Sequence, residues 1–364
     1  MRAEAYSRAF AFAQAQVRAL VNDYPKLLPV YTKNGSWRHE GEPWTNWCEG
    51  FPAGLMWIFF ERTGNPEWHK LAQEYSSLLV GREFDLEVHD QGFLFWSSWK
   101  RWFDIVGDQS VKDVVIQAGK TQAMRFNEKG RFLRSFQASN STFIDLMMNV
   151  NVIFYAARET GDQRLEDIAH DHCHTSMRYL LRGDGSTVHE ALFDLSSGEF
   201  LGAGTHQGWR SDSAWARGQA WALYGFGEAF ELTGETVYLD AAHRCADFYI
   251  KNTPGGVPPN DWDEPEPRFP YESSAAAAAA SGLWRLAELT DSSDRSLNYR
   301  KAALGAVDRL VSSEFLANKT PGWEGILRHG IYHEQNGYGV DESVMFGEYF
   351  FVEVLSMMLA GNIE

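Results

Sequence analysis

ERTGNPEW at residues 61–68, DIVGDQSV at 104–111, ETGDQRL at 159–165 and LTGETVY at 232–238 repeat one short pattern. In each, a glycine closes a helical run and a small acidic or amide residue opens the next. This is the chemistry of a tight turn between two helices. Glycine enters the left-handed conformation at a helix C-terminus without strain, and a polar side chain after it accepts from the free N–H groups of the following first turn. ELTDSSDRSLNY at 288–299 is a fifth, degenerate copy. Five such turns divide the chain into six blocks.

Each block reads as helix, long polar or glycine-rich stretch, helix. Apolar periodicity predicts helices over 3–22 and 48–62, 66–81 and 92–106, 109–126 and 142–159, 162–181 and 213–232, 235–252 and 272–290, and 295–315 and 341–360. The fold class is therefore all-α, an (α/α)6 toroid of six hairpins, with 1–364 as one domain. Tight turns follow every second helix, and the long connections 23–47, 82–91, 127–141, 182–212, 253–271 and 316–340 alternate with them. In an antiparallel array this puts every long loop at one end, where loops on a rigid scaffold build sites. The second helix of each block starts at that end and is the apolar one, as in FPAGLMWIFF (51–60) and SSAAAAAASGL (273–283), so these form the inner ring. No strand pattern competes strongly, although STVHEALFDL (186–195) alternates and is compatible with a hairpin inside a long loop.

Composition narrows the function. The formal charge of −16 opposes bulk attraction to nucleic acid or an anionic membrane, so an acidic ligand needs a local favourable site. Aromatic residues make up 14% of the chain, enough to fill a core and line a cleft. Cys48, Cys173 and Cys245 are odd in number and far apart, which fits buried thiols in a reducing compartment and favours the cytoplasm over a disulfide framework. MRAEAYSRAFAFAQAQVRAL at the N-terminus carries charges at helical spacing and reads as the first helix rather than a leader, and no apolar run reaches membrane-spanning length.

The unusual residues collect at the predicted mouth: TNWCEGF (45–51), HDQGFLF (89–95), FIDLMMN (143–149), SAWARGQAW (213–221), YESSA (271–275) and DESVMFGEYF (341–350), with His189 and GTHQG (204–208) in the longest loop. Helix N-termini facing a funnel offer N–H groups to an anion. Asp145 inside an apolar segment is either paired or functional, because a bare buried carboxylate is costly. Asp90 is placed to cap the helix that follows it. Arg217, among inner-helix aromatics, requires a carboxylate partner, either from a ligand or from the protein. Trp215 and Trp221 are six apart and need not share a face, and His206 reads as a structural hydrogen-bonder. His170 and His174 lie i,i+4 with Glu166 a turn earlier, but on an outer helix, so no metal is expected there. Neither a glycine-rich phosphate loop, a G-x-S-x-G elbow nor a zinc signature is present.

In their order and approximate spacing, HDQGFLF, FIDLMMN, GTHQG, WARGQAW, SSAAAAAASGL and FGEYFFVE resemble the motifs of glycoside hydrolase family 88, the unsaturated glucuronyl hydrolases, over nearly the whole chain. The resemblance implies an (α/α)6 enzyme without cofactor. It acts on acidic oligosaccharides left by polysaccharide lyases and removes the terminal 4,5-unsaturated uronic acid. It implies Asp145 as catalytic acid/base, Asp90 as second active-site carboxylate, and substrate contacts at Trp47, His189, Gln207, Trp215, Arg217 and Trp221. Phe136 falls where the family can carry a Trp. Glu272 and Glu342 stand where Asp is more usual, which leaves their roles open. The implied chemistry is hydration of a vinyl ether, so the separation of the carboxylates carries no stereochemical rule. Rival readings are an unsaturated rhamnogalacturonyl hydrolase, a catalytically idle carbohydrate-binding toroid, and a sugar epimerase, which would want opposed histidines on inner helices. GTHQG with WARGQAW favours the glucuronyl reading.

Overall fold

The computed structural model describes residues 2–40, 45–267 and 269–361. Among these residues twelve helices follow in chain order: α1 Arg2–Asp23, α2 Gly50–Thr63, α3 Pro66–Ser77, α4 from Gln91 to Val106, α5 Gln109–Ala123, α6 Asn151–Thr160, α7 Gln163–Tyr179, α8 Ala216–Thr233, α9 Thr236–Asn252, α10 Ser273–Leu289, α11 Ser293–Leu310 and α12 Met345–Ala360. Helix α4 contains one π-helical turn, Trp96–Lys100, where Ser97 Oγ bonds back to the Phe93 carbonyl.

The four glycine turns form as their chemistry dictates. Gly64, Gly107, Gly161 and Gly234 are left-handed, with φ of 66°, 72°, 67° and 75°, and each donates its N–H to the carbonyl four residues back. Asn65, Asp108 and Asp162 then cap the next helix with their side chains, whereas Glu235 makes no such bond. At the degenerate fifth turn Thr290 is extended and Ser292 supplies the cap, accepting from Arg295 N.

Even-numbered helices form the inner ring. Helix α2 is buried on every side from Gly50 to Phe59 and α10 from Ser273 to Trp284, whereas α3 buries one stripe, Trp68, Ala72, Tyr75 and Ser76. Around the ring α2 packs on α4, α4 on α6, α6 on α8, α8 on α10, α10 on α12, and α12 back on α2. The chain is an α/α toroid. Glycines set the spacing of the ring. A Cβ at Gly225 of α8 would lie 2.5 Å from the Met147 carbonyl oxygen, at Gly282 of α10 2.6 Å from Leu223, at Gly347 of α12 2.6 Å from Ser274, and at Gly54 of α2 2.7 Å from the Ser97 carbonyl oxygen. Ala275 to Ala280, all fully buried, continue this small-residue surface along α10.

At the end opposite the mouth, the buried Glu353 of α12 accepts from Arg101, Tyr224, Ser281 and Tyr349, tying α4, α8 and α10 to α12. Burial raises its proton affinity, yet Arg101 and Arg285 hold its carboxyl below the ordinary range.

Two short antiparallel pairs, β1 (Thr32–Lys33) with β2 (Ser36–Trp37) and β3 (Phe126–Asn127) with β4 (Phe132–Leu133), come first in the chain, and several boundaries differ from the sequence expectation. The helix expected over 66–81 stops at Ser77 and gives way to a 3-10 turn, Arg82–Phe84. The segment expected as a helix from 142 begins as strand β5 (Ser141–Phe143) and a 3-10 turn, Ile144–Met148, before α6. Residues 341–344 finish a strand rather than start α12. Strands are also more numerous than expected. β5 pairs with β6 (Glu190–Phe193), which pairs with β7 (Phe200–Gly204), and β8 (Gly330–His333) pairs with β9 (Tyr338–Glu342), all antiparallel. The first sheet includes the alternating 186–195 segment. Short pairs within the mouth loops satisfy backbone groups that no helix ladder reaches.

Two glycines test the ring. Gly225→Ala forces α8 off the turn that carries Asp145 and is expected to lower stability by ~1–3 kcal/mol. Gly305→Ala, on the exposed face of outer helix α11 with nothing within 4 Å of the added carbon, should raise it by about 0.5–1 kcal/mol. Denaturant melts of the two variants check both signs.

Candidate active site

The inner helices surround a cleft of about 250 Å³ at the mouth, lined by Asn46, Trp47, Glu87, Val88, His89, Asp90, Phe93, Phe136, Phe143, Asp145, His206, Gln207, Tyr332 and His333. Asp145 and Asp90 come from different segments. Asp145 sits in the 3-10 turn ahead of α6, held by β5, whose Phe143 pairs with Glu190 of β6. Asp90 occupies the N-cap position of α4, but its side chain does not cap it. Its Oδ1 accepts from Asn149 Nδ2 at 2.9 Å, and its Oδ2 lies 3.0 Å from His89 Nε2. Capping, the simple structural reading of Asp90, is therefore not what its carboxylate does.

Asp145 is treated differently. Its Oδ2 has no hydrogen-bond partner, and burial first, then the neighbouring Asp90 charge, push its carboxyl up to about 7. A carboxyl of this kind holds a proton near neutrality and can deliver it. The nearest polar atom from the next loop is His189 Nε2, 3.5 Å from Asp145 Oδ2. His189 Nδ1 accepts the backbone N–H groups of His206 at 3.1 Å and Gln207 at 3.2 Å. Assigned from this network, the neutral ring carries its proton on Nε2, facing Asp145. Burial, then His206 and Arg217, hold His189 well below its ordinary range, so it stays neutral.

Of the residues singled out in the sequence, Trp47, Asp90, Phe136, Asp145 and Gln207 line the cleft. His189 and Trp215 stand behind Asp145, their rings 4.6 Å apart. Arg217 is 1% exposed, and its partners belong to the protein. It donates to the carbonyls of Ile331 and Tyr332 of β8, lies 3.7 Å from Glu272, and stacks over Trp215. It thus braces the β8–β9 hairpin from behind. Trp221 lies in an aromatic core with Phe93, Phe346 and Phe350 and does not reach the cleft, because six residues along a helix turn it to another face.

Glu272 caps α10, accepting from Ser274 N and Ala275 N, and also holds Ile331 N of β8. Glu342 binds Thr32 Oγ1 and the backbone of Asn34 and Gly35. Both roles left open by the sequence are met by local structure. His170 bonds the Tyr238 hydroxyl on the outer ring, and among the described residues no group of three His, Cys, Asp or Glu is arranged to hold a metal.

Sequence reasoning missed His89, Phe143, His206, Tyr332 and His333 as lining residues. His89 and His206 stood inside quoted motifs but were overshadowed by Asp90 and Gln207. Tyr332 and His333 lie on a strand, not a loop, and the signal was the Asn336-Gly337 dipeptide between two extended runs. Burial, with His206 and Arg217 adding, lowers His333 to about 4, and burial together with His89 lowers His206.

The sequence profile of Glycosyl Hydrolase Family 88 matches residues 28–254. The chain belongs to this family. It is accordingly a glycoside hydrolase. An unsaturated glucuronyl hydrolase of Formosa agariphila is 32% identical over 86% of this chain and 80% of its own length. One from Bacillus sp. strain GL1 is 30% identical over 87% of each. A solved unsaturated glucuronyl hydrolase specific for heparin superposes with a TM-score of 0.89 at 28% identity, over 97% of this chain and 96% of that one. Family membership is consistent with the cleft: two unlike carboxylates in an aromatic, histidine-rich pocket.

The proton on Asp145 fixes the sign of the pH dependence. The acid is present below about pH 7 and lost above it, so turnover should fall as pH rises through that value. A pH–rate profile checks this, and a monotonic rise into the alkaline range would remove Asp145 from the acid role.

Proposed function

We propose that this chain removes a 4,5-unsaturated glucuronic acid from the non-reducing end of lyase-generated oligosaccharides, working as a single catalytic unit. Asp145 carries the reading: it lines the cleft with an Oδ2 that has no hydrogen-bond partner, and its carboxyl is pushed up to about 7, beside an Asp90 whose two oxygens are both engaged. Asp145 transfers its proton to carbon 4 of the vinyl ether, and positive charge develops at carbon 5 and the ring oxygen. Water adds to carbon 5, and its surplus proton returns to the Asp145 carboxylate. The hemiketal so formed opens to a ketone at carbon 5. This leaves a hemiacetal at carbon 1 that releases the aglycone with a proton. The anionic Asp90 favours the cationic transition state electrostatically. Trp47, Gln207 and Phe136 shape the subsite, while His189, Trp215 and Arg217 hold its back wall.

No helix among the described residues is long and apolar enough to cross a membrane, and the three cysteines are free and buried. These thiols support a cytoplasmic site of action.

Asp145→Asn should keep the fold and lower turnover by ~10²–10⁴-fold, with Asp90→Asn also severely impaired. Run in heavy water, the wild type should place deuterium on carbon 4 of the early product and leave the saturated glucuronide uncleaved. Cleavage of that saturated analogue at a comparable rate would mean attack at the anomeric carbon, and hydration would be abandoned.

The described residues lining the cleft include neither Lys nor Arg, and the β8–β9 hairpin that walls it, GIYHEQNGYGVDE, has none either. A sulfate on the neighbouring sugar wants such donors. Unsulfated chondroitin disaccharide is expected to turn over faster than its sulfated forms in a direct kcat/KM comparison. The opposite ranking would refute the preference.

A further inference from the structure

Asn149 ends the FIDLMMN segment, and the chemistry above gives it no task. It is fully buried, at the C-terminus of the 3-10 turn that carries Asp145. Its Nδ2 donates to Asp90 Oδ1 at 2.9 Å and to the Asp145 backbone oxygen at 3.2 Å, and its Oδ1 accepts from Phe93 N at 2.9 Å. Phe93 N is a first-turn N–H of α4, the kind of donor that a helix's own N-cap residue normally satisfies. Asn149 therefore caps α4 from another segment, in the place Asp90 occupies by sequence. The closeness this needs is built in: a Cβ at Gly92 would lie 2.6 Å from Asn149 Cα and 2.8 Å from its Oδ1.

The substitution of one cap for another has a chemical consequence. Had Asp90 capped α4, its oxygens would point along the helix. Instead they are free to face the cleft, where Asn149 engages one and His89 the other. Asp145 Oδ2 has no comparable donor, His189 Nε2 lying 3.5 Å away. Of two nearby carboxylates, the one with more donors is the better held in its charged form, because a donor stabilises the charge.

We propose that Asn149 is the positioning residue of this site: it caps α4 in place of Asp90 and, by donating to Asp90, leaves the acid role to Asp145. This rests on the reading of Asp145 and Asp90 as the working pair. The other groups facing the pair are His89, His189, Arg217 and, near Asp90, Arg125, Cys48 and Tyr332. Of these His189 and Arg217 are fixed by their own backbone partners.

The test compares Asn149→Ala, which deletes the amide, with Asn149→Asp, which keeps its size and acceptor oxygen but has no donor when ionised. Rates are taken as full pH profiles and scaled to the folded fraction from thermal melts. Both variants should lose roughly tenfold or more in kcat, the worth of one hydrogen bond to a charged group. KM should change little, because Asn149 does not line the cleft. The pH profile should lose its wild-type shape, because the donor that distinguishes Asp90 from Asp145 is gone. A wild-type profile shape in both variants, with only the melting temperature lowered, would overturn the proposal. So would a wild-type profile in Asn149→Asp alone, which would make Asn149 a spacer.

If neither variant folds, carbon-13 carboxyl NMR of Asp-labelled wild type decides. The carboxyl titrating near neutrality must vanish in Asp145→Asn and survive in Asp90→Asn, and the reverse would overturn the assignment. A fully active Asp145→Asn would instead sink the catalytic pair itself. An inactive Asp145→Asn with unchanged Asn149 profiles would sink this proposal alone.

Discussion

The inner helices of this ring surround a narrow cleft because their backbones nearly touch. Where Gly225 meets Met147 or Gly92 meets Asn149, the space left for a side chain is less than one carbon. Such contacts give up apolar side-chain burial and leave a glycine with more chain entropy to lose. What they secure is position. Met147 lies in the turn that carries Asp145 and Asn149 closes it, and Gly92 follows Asp90 by two residues, so the same contacts that close the ring fix the two carboxylates relative to each other. Fold and site share one set of tolerances.

That geometry bears on how a chain of net charge −16 would take the acidic sugar proposed as its substrate. The described lining residues offer no Lys or Arg, and the buried His189 and His333 are driven toward their neutral forms. Recognition of that sugar would then rest on neutral donors set in a partly buried cleft, where a hydrogen bond is electrostatically stronger than in bulk water. A cationic pocket would bind the uronate more strongly but would also lower the proton affinity of Asp145. The absence of nearby cations at the cleft surface, with Arg217 turned toward backbone carbonyls and Glu272, is consistent with keeping that proton in place.

Most of the ring was legible because helix periodicity and turn glycines are local signals. The five turns, the alternation of inner and outer helices and the end that holds the mouth all follow from residues a few positions apart. What was not legible depends on partners distant in sequence. The start of 142–159 looks helical, yet Phe143 is extended because Glu190 pairs with it. Tyr332 and His333 line the cleft because β8 is held by Arg217 and Glu272, more than fifty residues away in sequence. Trp221 was drawn toward the substrate by its motif, whereas its face on α8 sends it to the core. Asp90 and Asp145 both line the cleft because each lies just ahead of an inner helix at the mouth end, where local pattern and position in the ring coincide.

The two aspartates illustrate how little residue type decides. Both are carboxylates at the head of an inner-ring segment, Asp90 buried and Asp145 less so, and residue type alone does not tell them apart. The difference lies in what surrounds them: Asp90 has Asn149 and His89 on its two oxygens, whereas Asp145 Oδ2 has none and feels the Asp90 charge. An acid and an electrostatic partner arise from one side chain used twice. Because the asymmetry comes from a cap supplied across segments, it holds only while α4 and the 145 turn stay in register, so the chemistry is coupled to the packing of Gly92 against Asn149 rather than to either aspartate alone.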